Sequence, residues 1–346
     1  MNYREIGKTG IKVSEISLGC LPLGGLSWKD GRSNGWAEVD EAEIQRAVDY
    51  ALDQGINHFD NADGYGDGRA ERLLAKILGT RSNRVVVSSK VGHFRGTAEH
   101  AYDPLHIRHQ CEQSLKNLGR DTLDIYYFHH GNFGPKDVYL EDAVAEMEKL
   151  RGEGKFRILG LSAYSADDFL RLAPKIRPQV LQANASLVHD EFIRAGGPVS
   201  RLMERDQLSL VAHGVLGRGV LSGKYGLDGT ARFPDGDVRR EHEFFTPEAL
   251  EKIGGQLEAL KQRLGTSPAD LSRAAIGFVL RSHQVCCGIL GFRKLEQVKS
   301  NIEAALRPLS ETDYRFLLEL FSGDELWDQL KRRRSPEPAL AGGSPV

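Results

Sequence analysis

The sequence predicts a parallel α/β fold, a (β/α)8 TIM barrel with an N-terminal β-hairpin cap. Three observations carry this. Short runs of β-branched and aromatic residues alternate with stretches of helical period, the pattern of repeated βα units. Several of the short runs are continuously apolar, as parallel strands covered on both faces should be. There are about eight of them, the number that closes a barrel.

The strand candidates are Val13–Leu18, Ile56–Phe59, Arg84–Ser88, Leu123–Phe128, Phe156–Leu161, Val180–Ala183, Leu208–Ala212 and Val285–Leu290. Amphipathic helical stretches include Glu41–Asp53, Arg69–Leu78, Leu105–Leu118 and Leu140–Arg151. Asp40 is placed to cap the first of these, with Glu43 three residues on in capping-box position. Asp103 followed by Pro104 reads as a cap and first helical residue. Gly119 and Gly152 read as helix stops. Before the first barrel strand, Tyr3–Val13 reads as a hairpin turning at Lys8-Thr9-Gly10, a plug for the barrel bottom. Tyr225–Thr246 is long, Gly-rich and mixed in charge, and such loops are usually functional or disordered. The expected organisation is one barrel over residues 1–334, with a flexible tail at 335–346 rich in Pro, Ala, Gly and Ser.

The chain has 346 residues and a formal net charge of −2. Neither nucleic acid nor an anionic membrane is an expected partner of so balanced a surface. The longest apolar runs are strand-length, too short to span a bilayer. The first ten residues, MNYREIGKTG, are polar, so no secretion signal is expected and a cytoplasmic location is. Cys20, Cys111, Cys286 and Cys287 form no CxxC pair and read as reduced thiols.

Four polar residues sit at or just past the ends of successive apolar segments: Asp60 and Tyr65 in HFDNADGYG, Lys90 in RVVVSSK, and His129 in LDIYYFHH. In a barrel these ends converge on one rim, where chemistry is done. Each has an ordinary explanation by itself: a turn carboxylate, a loop aromatic, a solvated lysine, a core histidine. Together they suit carbonyl reduction. Hydride transfer to a carbonyl leaves an alkoxide that needs a proton. A tyrosine gives one up reluctantly at its usual pKa near 10. A nearby ammonium lowers that pKa, a carboxylate holds the ammonium, and an imidazole orients the substrate oxygen.

FDNADGYGDGRAE, VVVSSKVG and LDIYYFHHGN, in that order, resemble the signature segments of the aldo-keto reductases. The resemblance runs from about Asn2 to Leu306. It implies a catalytic tetrad of Asp60, Tyr65, Lys90 and His129, with His129 rather than His130 in the histidine slot by spacing from Asp124. It also implies a nicotinamide cofactor lying across the rim: NADP(H) by the cationic phosphate segment, with NAD(H) the alternative. The implied cofactor-binding residues are Gly19, Cys20, Asp60, Ser162, Gln182, His213, Leu216, Gly217, Gly219, Lys224, Gly291, Arg293, Gln297 and Asn301. There is no GxGxxG, so a Rossmann site has no support. VAHGVLGRGVLSGKY resembles the family's pyrophosphate segment, although on its own it reads equally as a Gly-rich turn. ILGFRKLEQVKSN resembles the adenosine-phosphate segment, placing Phe292 and Arg293 by the ribose phosphate and Gln297 and Asn301 by the adenine. A guanidinium there suits a 2′-phosphate.

Two positions depart from the family pattern. In GLSAYS, Ser162 matches a carboxamide contact, but Ala163 stands where the family usually has Asn. His213 stands where it usually has an aromatic that stacks on the nicotinamide. Gln182 matches the sixth-strand carboxamide contact. Trp28, His93 and His130 are candidate substrate contacts, and Tyr225–Thr246 a candidate lid. His93, His100, His106 and His109 lack metal-ligand spacing, so no metal is expected. The expected activity is interconversion of a carbonyl (aldehyde, ketone or sugar) and its alcohol, with Tyr65 as acid/base and a small, sugar-like molecule as partner. An NAD-dependent sugar or alcohol dehydrogenase, a cofactor-sensing binding protein on the same fold, and a metal-dependent barrel hydrolase are the alternatives. The oligomeric state is not legible.

Overall fold

A computed structural model describes residues 1–29, 31–225 and 232–322. The expected tail at 335–346, and residues 226–231 of the candidate lid, lie outside the described residues. In chain order the elements are β1 (Tyr3–Glu5), β2 (Lys12–Ser14), β3 (Ile16–Gly19), β4 (Trp28–Lys29), β5 (Arg32–Ser33), α1 (Glu41–Asp53), β6 (His58–Asp60), α2 (Arg69–Leu78), β7 (Val86–Val91), α3 (Pro104–Leu118), β8 (Leu123–Phe128), α4 (Leu140–Gly152), β9 (Phe156–Ser162), α5 (Ala166–Ile176), β10 (Val180–Asn184), α6 (Pro198–Asp206), β11 (Ser209–His213), α7 (Pro247–Leu264), α8 (Pro268–Leu280), β12 (Val285–Gly291), α9 (Leu295–Ala305) and α10 (Glu311–Phe321). Strands β3 and β6 to β12 pair in sequence order, all parallel, and β12 closes on β3 to give an eight-stranded (β/α)8 barrel.

Strand alternation sorts each apolar run between two environments. On β8, Ile125 and Tyr127 pack in the lumen with Ile158, Val180, Val211 and Ile289. Tyr126 and Phe128 pack outward in the larger core between sheet and helices. Tyr127 fits because Gly160 lies opposite it; a Cβ at Gly160 would come within 2.1 Å of the ring. The lumen is apolar below and polar above, where His58, Asp60, Ser88, Lys90 and Gln182 are all buried.

The hairpin closes the lower end. β1 and β2 pair antiparallel, and Ile6 and Val13 are fully buried against the lumen residues. Arg4 fixes the hairpin by donating to the carbonyls of Leu280, Ser282 and Val285, at 2.8, 3.1 and 2.8 Å. The expected strand Val13–Leu18 is therefore split. Lys12–Ser14 belongs to the plug and Ile16–Gly19 to the barrel, because one continuous apolar run serves two sheets.

Caps form at α1 and α3. Asp40 accepts from Glu43 N at 3.0 Å, and Asp103 accepts from Leu105 N and His106 N. The reciprocal half of the α1 capping box is missing: the Glu43 carboxylate instead accepts from Leu295 N at 2.8 Å, at the start of α9. Gly119 stops α3 in the left-handed region. Gly152 is not a stop; it is the last residue of α4, and Gly154 takes the positive φ.

A candidate active site at the carboxyl rim

The four polar residues meet above the lumen. Asp60 ends β6, Lys90 lies near the end of β7, His129 follows β8, and Tyr65 lies in the β6–α2 loop. The expected strand at Arg84–Ser88 is displaced to Val86–Val91, so Lys90 lies within the strand and points into the lumen. The Lys90 ammonium, which is fully buried, donates to Asp60 Oδ2 and to the Asn61 carbonyl, each at 2.6 Å. It lies 3.5 Å from the Tyr65 hydroxyl. Asp60 Oδ1 accepts from Ser88 Oγ at 2.8 Å and from Gln182 Nε2 at 2.9 Å. Beneath them, the His58 ring contacts Ser88 Oγ at 3.3 Å and Cys287 Sγ at 3.5 Å.

A buried ion pair survives only when further hydrogen bonds satisfy it, and this one has them. Burial alone would raise the Asp60 carboxyl, but Lys90 and the surrounding hydrogen bonds reverse that and hold it below its usual value. Tyr65 goes the other way. Burial first, then the Asp60 charge, push the phenol well above its usual value, while Arg218 pulls it back. Among this chain's own groups the net direction is therefore opposite to a lysine-lowered phenol, and Tyr65 is held as a protonated donor. Burial, with His93 and Lys90 nearby, pushes the His129 imidazole well below its usual value, so it is neutral at pH 7. Its Nδ1 is buried without a partner.

His129 lies edge-on to Tyr65, with ring centroids 6.0 Å apart. His130 turns away: its Nε2 meets the Gly92 carbonyl at 2.9 Å, and its backbone is bracketed by Tyr102 OH. His93 packs edge-on against His129 at 4.1 Å, and its Nε2 meets Tyr164 OH at 2.9 Å. Lys29 crosses from β4 to the His93 carbonyl at 2.5 Å. Trp28, on the same two-stranded hairpin, is 54% exposed and lies 3.3 Å from Asp235. His100 stacks on Tyr139, and His106 meets the Phe94 carbonyl.

The described part of the candidate lid is tied down. The Gly35 and Ser27 amides donate to Gly236 O, and Val238 N donates to Gly35 O. Asp237 and Arg239, both buried, form an ion pair. The Arg239 guanidinium lies between the rings of Trp36 (4.3 Å) and Phe233 (4.5 Å) and reaches Tyr225 OH at 2.5 Å. Residues 232–246 thus make a strap across the rim to the loop after β3.

The remaining rim residues fit a dinucleotide. Ser162 is buried at the end of β9, beside Ala163, and Gln182 is buried in the middle of β10. His213 ends β11 and pairs with Asn184. Gly19, Cys20 and Gly291 sit at adjacent strand ends, Gly19 paired with both Asp60 and Gly291, and Cys20 N donates to Asp60 O at 2.8 Å. After β11 the chain turns through positive φ at Gly214, Gly217, Arg218 and Gly219. The amides of Gly217 and Gly219 close turns onto Gly214 O and Leu216 O, so these glycines supply room and shape rather than free donors. Lys224 is exposed, yet partial desolvation by its loop, and then the like charges of Arg239, Arg293 and Lys294, lower it to about 8. Arg293 is lowered too, by burial and then by Arg239. Such a concentration of cations suits phosphate. Phe292 is buried in the main core rather than lining the rim. Gln297 turns its Oε1 onto Arg293 N and Lys294 N. Asn301 is buried one helical turn on.

Several residues here went unread in the sequence: Ser88, His58, Tyr164, Asn184 and Arg218. Two carried a usable signal. Ser88 precedes Lys90 by two residues and Asn184 follows Gln182 by two, so each shares its neighbour's face.

The aldo/keto reductase family model matches residues 21–320. A soybean (Glycine max) protein called probable aldo-keto reductase 1 is 30% identical over 91% of this chain and 87% of its own length. The uncharacterized oxidoreductase YqkF of Bacillus subtilis (strain 168) is 25% identical over 92% and 95%. Among solved structures, the glycerol dehydrogenase AKR11B4 of Gluconobacter oxydans superposes with a TM-score of 0.72 at 25% identity, covering 99% of each chain. The holo form of aldo-keto reductase AKR11C1 of Bacillus halodurans gives 0.73 at 22%, covering 92% and 96%. With the barrel, the rim and the family match agreeing, the chain belongs to the aldo/keto reductase family, oxidoreductases that interconvert carbonyls and alcohols with a nicotinamide cofactor.

Proposed function

We propose that this protein is an NADP(H)-dependent reductase of a small, hydroxyl-bearing aldehyde or ketone, with Tyr65 as the acid. The observation that carries the chemistry is the buried Asp60–Lys90 pair in contact with the half-buried Tyr65 hydroxyl, with His129 beside it. When bound, the cofactor supplies the hydride. Tyr65 gives its hydroxyl proton to the carbonyl oxygen as the carbon is reduced. Lys90, 3.5 Å away, stabilises the negative charge left on the phenol oxygen. Asp60 fixes Lys90. His129, as a neutral imidazole, donates a hydrogen bond to the substrate oxygen and orients it. Preorganised donors of this kind account for much of the rate in such sites.

The Lys224, Arg293 and Lys294 cluster supports the 2′-phosphorylated cofactor, since a bidentate guanidinium matches phosphate. Tyr164, His93 and Lys29 line the rim with polar groups that suit hydroxyls. The similarity to a glycerol dehydrogenase supports a polyol-like substrate and favours one second reading, oxidation of such an alcohol with NAD. Initial rates with NADPH and NADH, in both directions, separate the two. Tyr65→Phe should lower turnover by about 10²-fold or more while leaving cofactor affinity nearly unchanged in a binding titration. Full activity in that variant would sink the mechanism.

A further inference from the structure

We propose that Asn184 holds the nicotinamide carboxamide, supplying from β10 the amide contact that Ala163 lacks. The inference rests on the nicotinamide reading above. A carboxamide presents an oxygen that takes donors and an NH2 that takes acceptors. Ser162, at the end of β9, and Gln182, one layer below the end of β10, are both buried where such a group would be held. Gln182, however, donates its Nε2 to Asp60 at 2.9 Å, so its Oε1 is the edge left for a ligand. Ala163 offers nothing. The pocket is thus one amide short.

Asn184 stands where a replacement belongs. It follows Gln182 by two residues on β10, so strand alternation puts both on the lumen face, with Asn184 one layer nearer the rim. Its backbone pairs with His213, the residue at the ring-stacking position. It is 8% exposed, yet its Oδ1 is buried with no hydrogen bond. Leaving a buried amide oxygen unmatched is costly, so a residue kept this way is poised for a ligand rather than for the fold. A strand-end asparagine with only a local role would bond its own backbone, and this oxygen does not.

Gly214 completes the arrangement. It has a φ of +70°, and a Cβ there would lie 2.2 Å from Asn184 Oδ1. Any side chain at 214 would therefore displace the asparagine. Three neighbouring features of this chain, the alanine at 163, the glycine at 214 and the asparagine at 184, describe one amide moved from β9 to β10.

The test is calorimetric titration of wild type, Asn184→Ala and the double variant Ala163→Asn/Asn184→Ala. The ligands are NADPH and 2′-phospho-ADP-ribose, which lacks the nicotinamide, with NADH and ADP-ribose run as a second pair. Asn184→Ala should bind the nicotinamide-bearing ligand about 3- to 10-fold more weakly, the range of one hydrogen bond, and the ring-less ligand unchanged. Ala163→Asn in that background should restore affinity. Equal binding of NADPH to wild type and Asn184→Ala, or an equal loss with both members of a pair, overturns the assignment. Failure of wild type to distinguish either dinucleotide from its ring-less partner overturns the nicotinamide reading beneath it.

Discussion

Tyr65 and Asp60 respond to one setting in opposite senses: it keeps the phenol protonated and the carboxyl ionised. Asp60 has three donors, from Lys90, Ser88 and Gln182, and Tyr65 faces its negative charge. This fixes the expected pH behaviour. If Tyr65 is the acid as proposed, carbonyl reduction needs the protonated phenol, whose pKa is raised, so its rate should stay flat through neutrality and fall only in strong alkali. His93, His129 and His130 are all lowered by burial, His130 to about 4, so no limb should appear near the usual histidine value of about 6.5. Alcohol oxidation, which needs the deprotonated phenol, should rise with pH. Profiles of kcat in both directions check this, and a reduction limb near neutrality contradicts it. The convergence of Asp60, Tyr65, Lys90 and His129 was legible because they fall near or just after strand ends, in order. Ser88, Tyr164 and Arg218 were less so, because a serine in a strand, or an arginine in a turn, looks the same whether or not it touches the site.

At the scale of elements, strand existence was readable and strand placement was not. Periodicity locates an apolar run, but pairing decides which residues form the ladder. Hence β7 begins at Val86 rather than Arg84, and Val13–Leu18 divides between plug and barrel. Gly152 failed as a stop because the chain used the glycine two residues later. The loop after β11 was legible only as unusual; its ties to Gly35 and Ser27 join segments some 200 residues apart, which no local pattern encodes. That loop and α9 together place Lys224 among Arg239, Arg293 and Lys294. Its pKa of about 8 makes a prediction with a definite sign. A bound phosphate raises that pKa, so binding takes up a proton once the free group has lost it. NADPH affinity should be level at pH 7 and weaken as pH rises through about 8, by at most about tenfold per pH unit. Lys224→Met should flatten the curve; the same slope in that variant assigns it elsewhere.

Over the whole molecule, a closed ring of eight strands leaves two ends to manage, and this chain treats them differently. The upper end is polar and gathers Asp60, Lys90, Tyr65 and His129. The lower end is sealed by Ile6 and Val13 against Ile125, Ile158, Val180 and Val211. Ile6→Ala should cost about 2–5 kcal/mol, as truncations of buried aliphatic residues do, seen as a lower midpoint in thermal or denaturant unfolding. The kinetics of the remaining folded enzyme should be unchanged, because the seal is at the opposite end from Tyr65. A change of substrate KM without loss of stability would show that the two ends communicate.

The hairpin also sets an order of events during synthesis. Arg4 leaves the ribosome long before the carbonyls it holds, which belong to Leu280, Ser282 and Val285, among the last of the barrel. Until those emerge, Ile6 and Val13 have no lumen to fill and β3 has no β12 beside it. Closing the ring and sealing its lower end both wait on the segment from Leu280 to Gly291, so the two are coupled into one step.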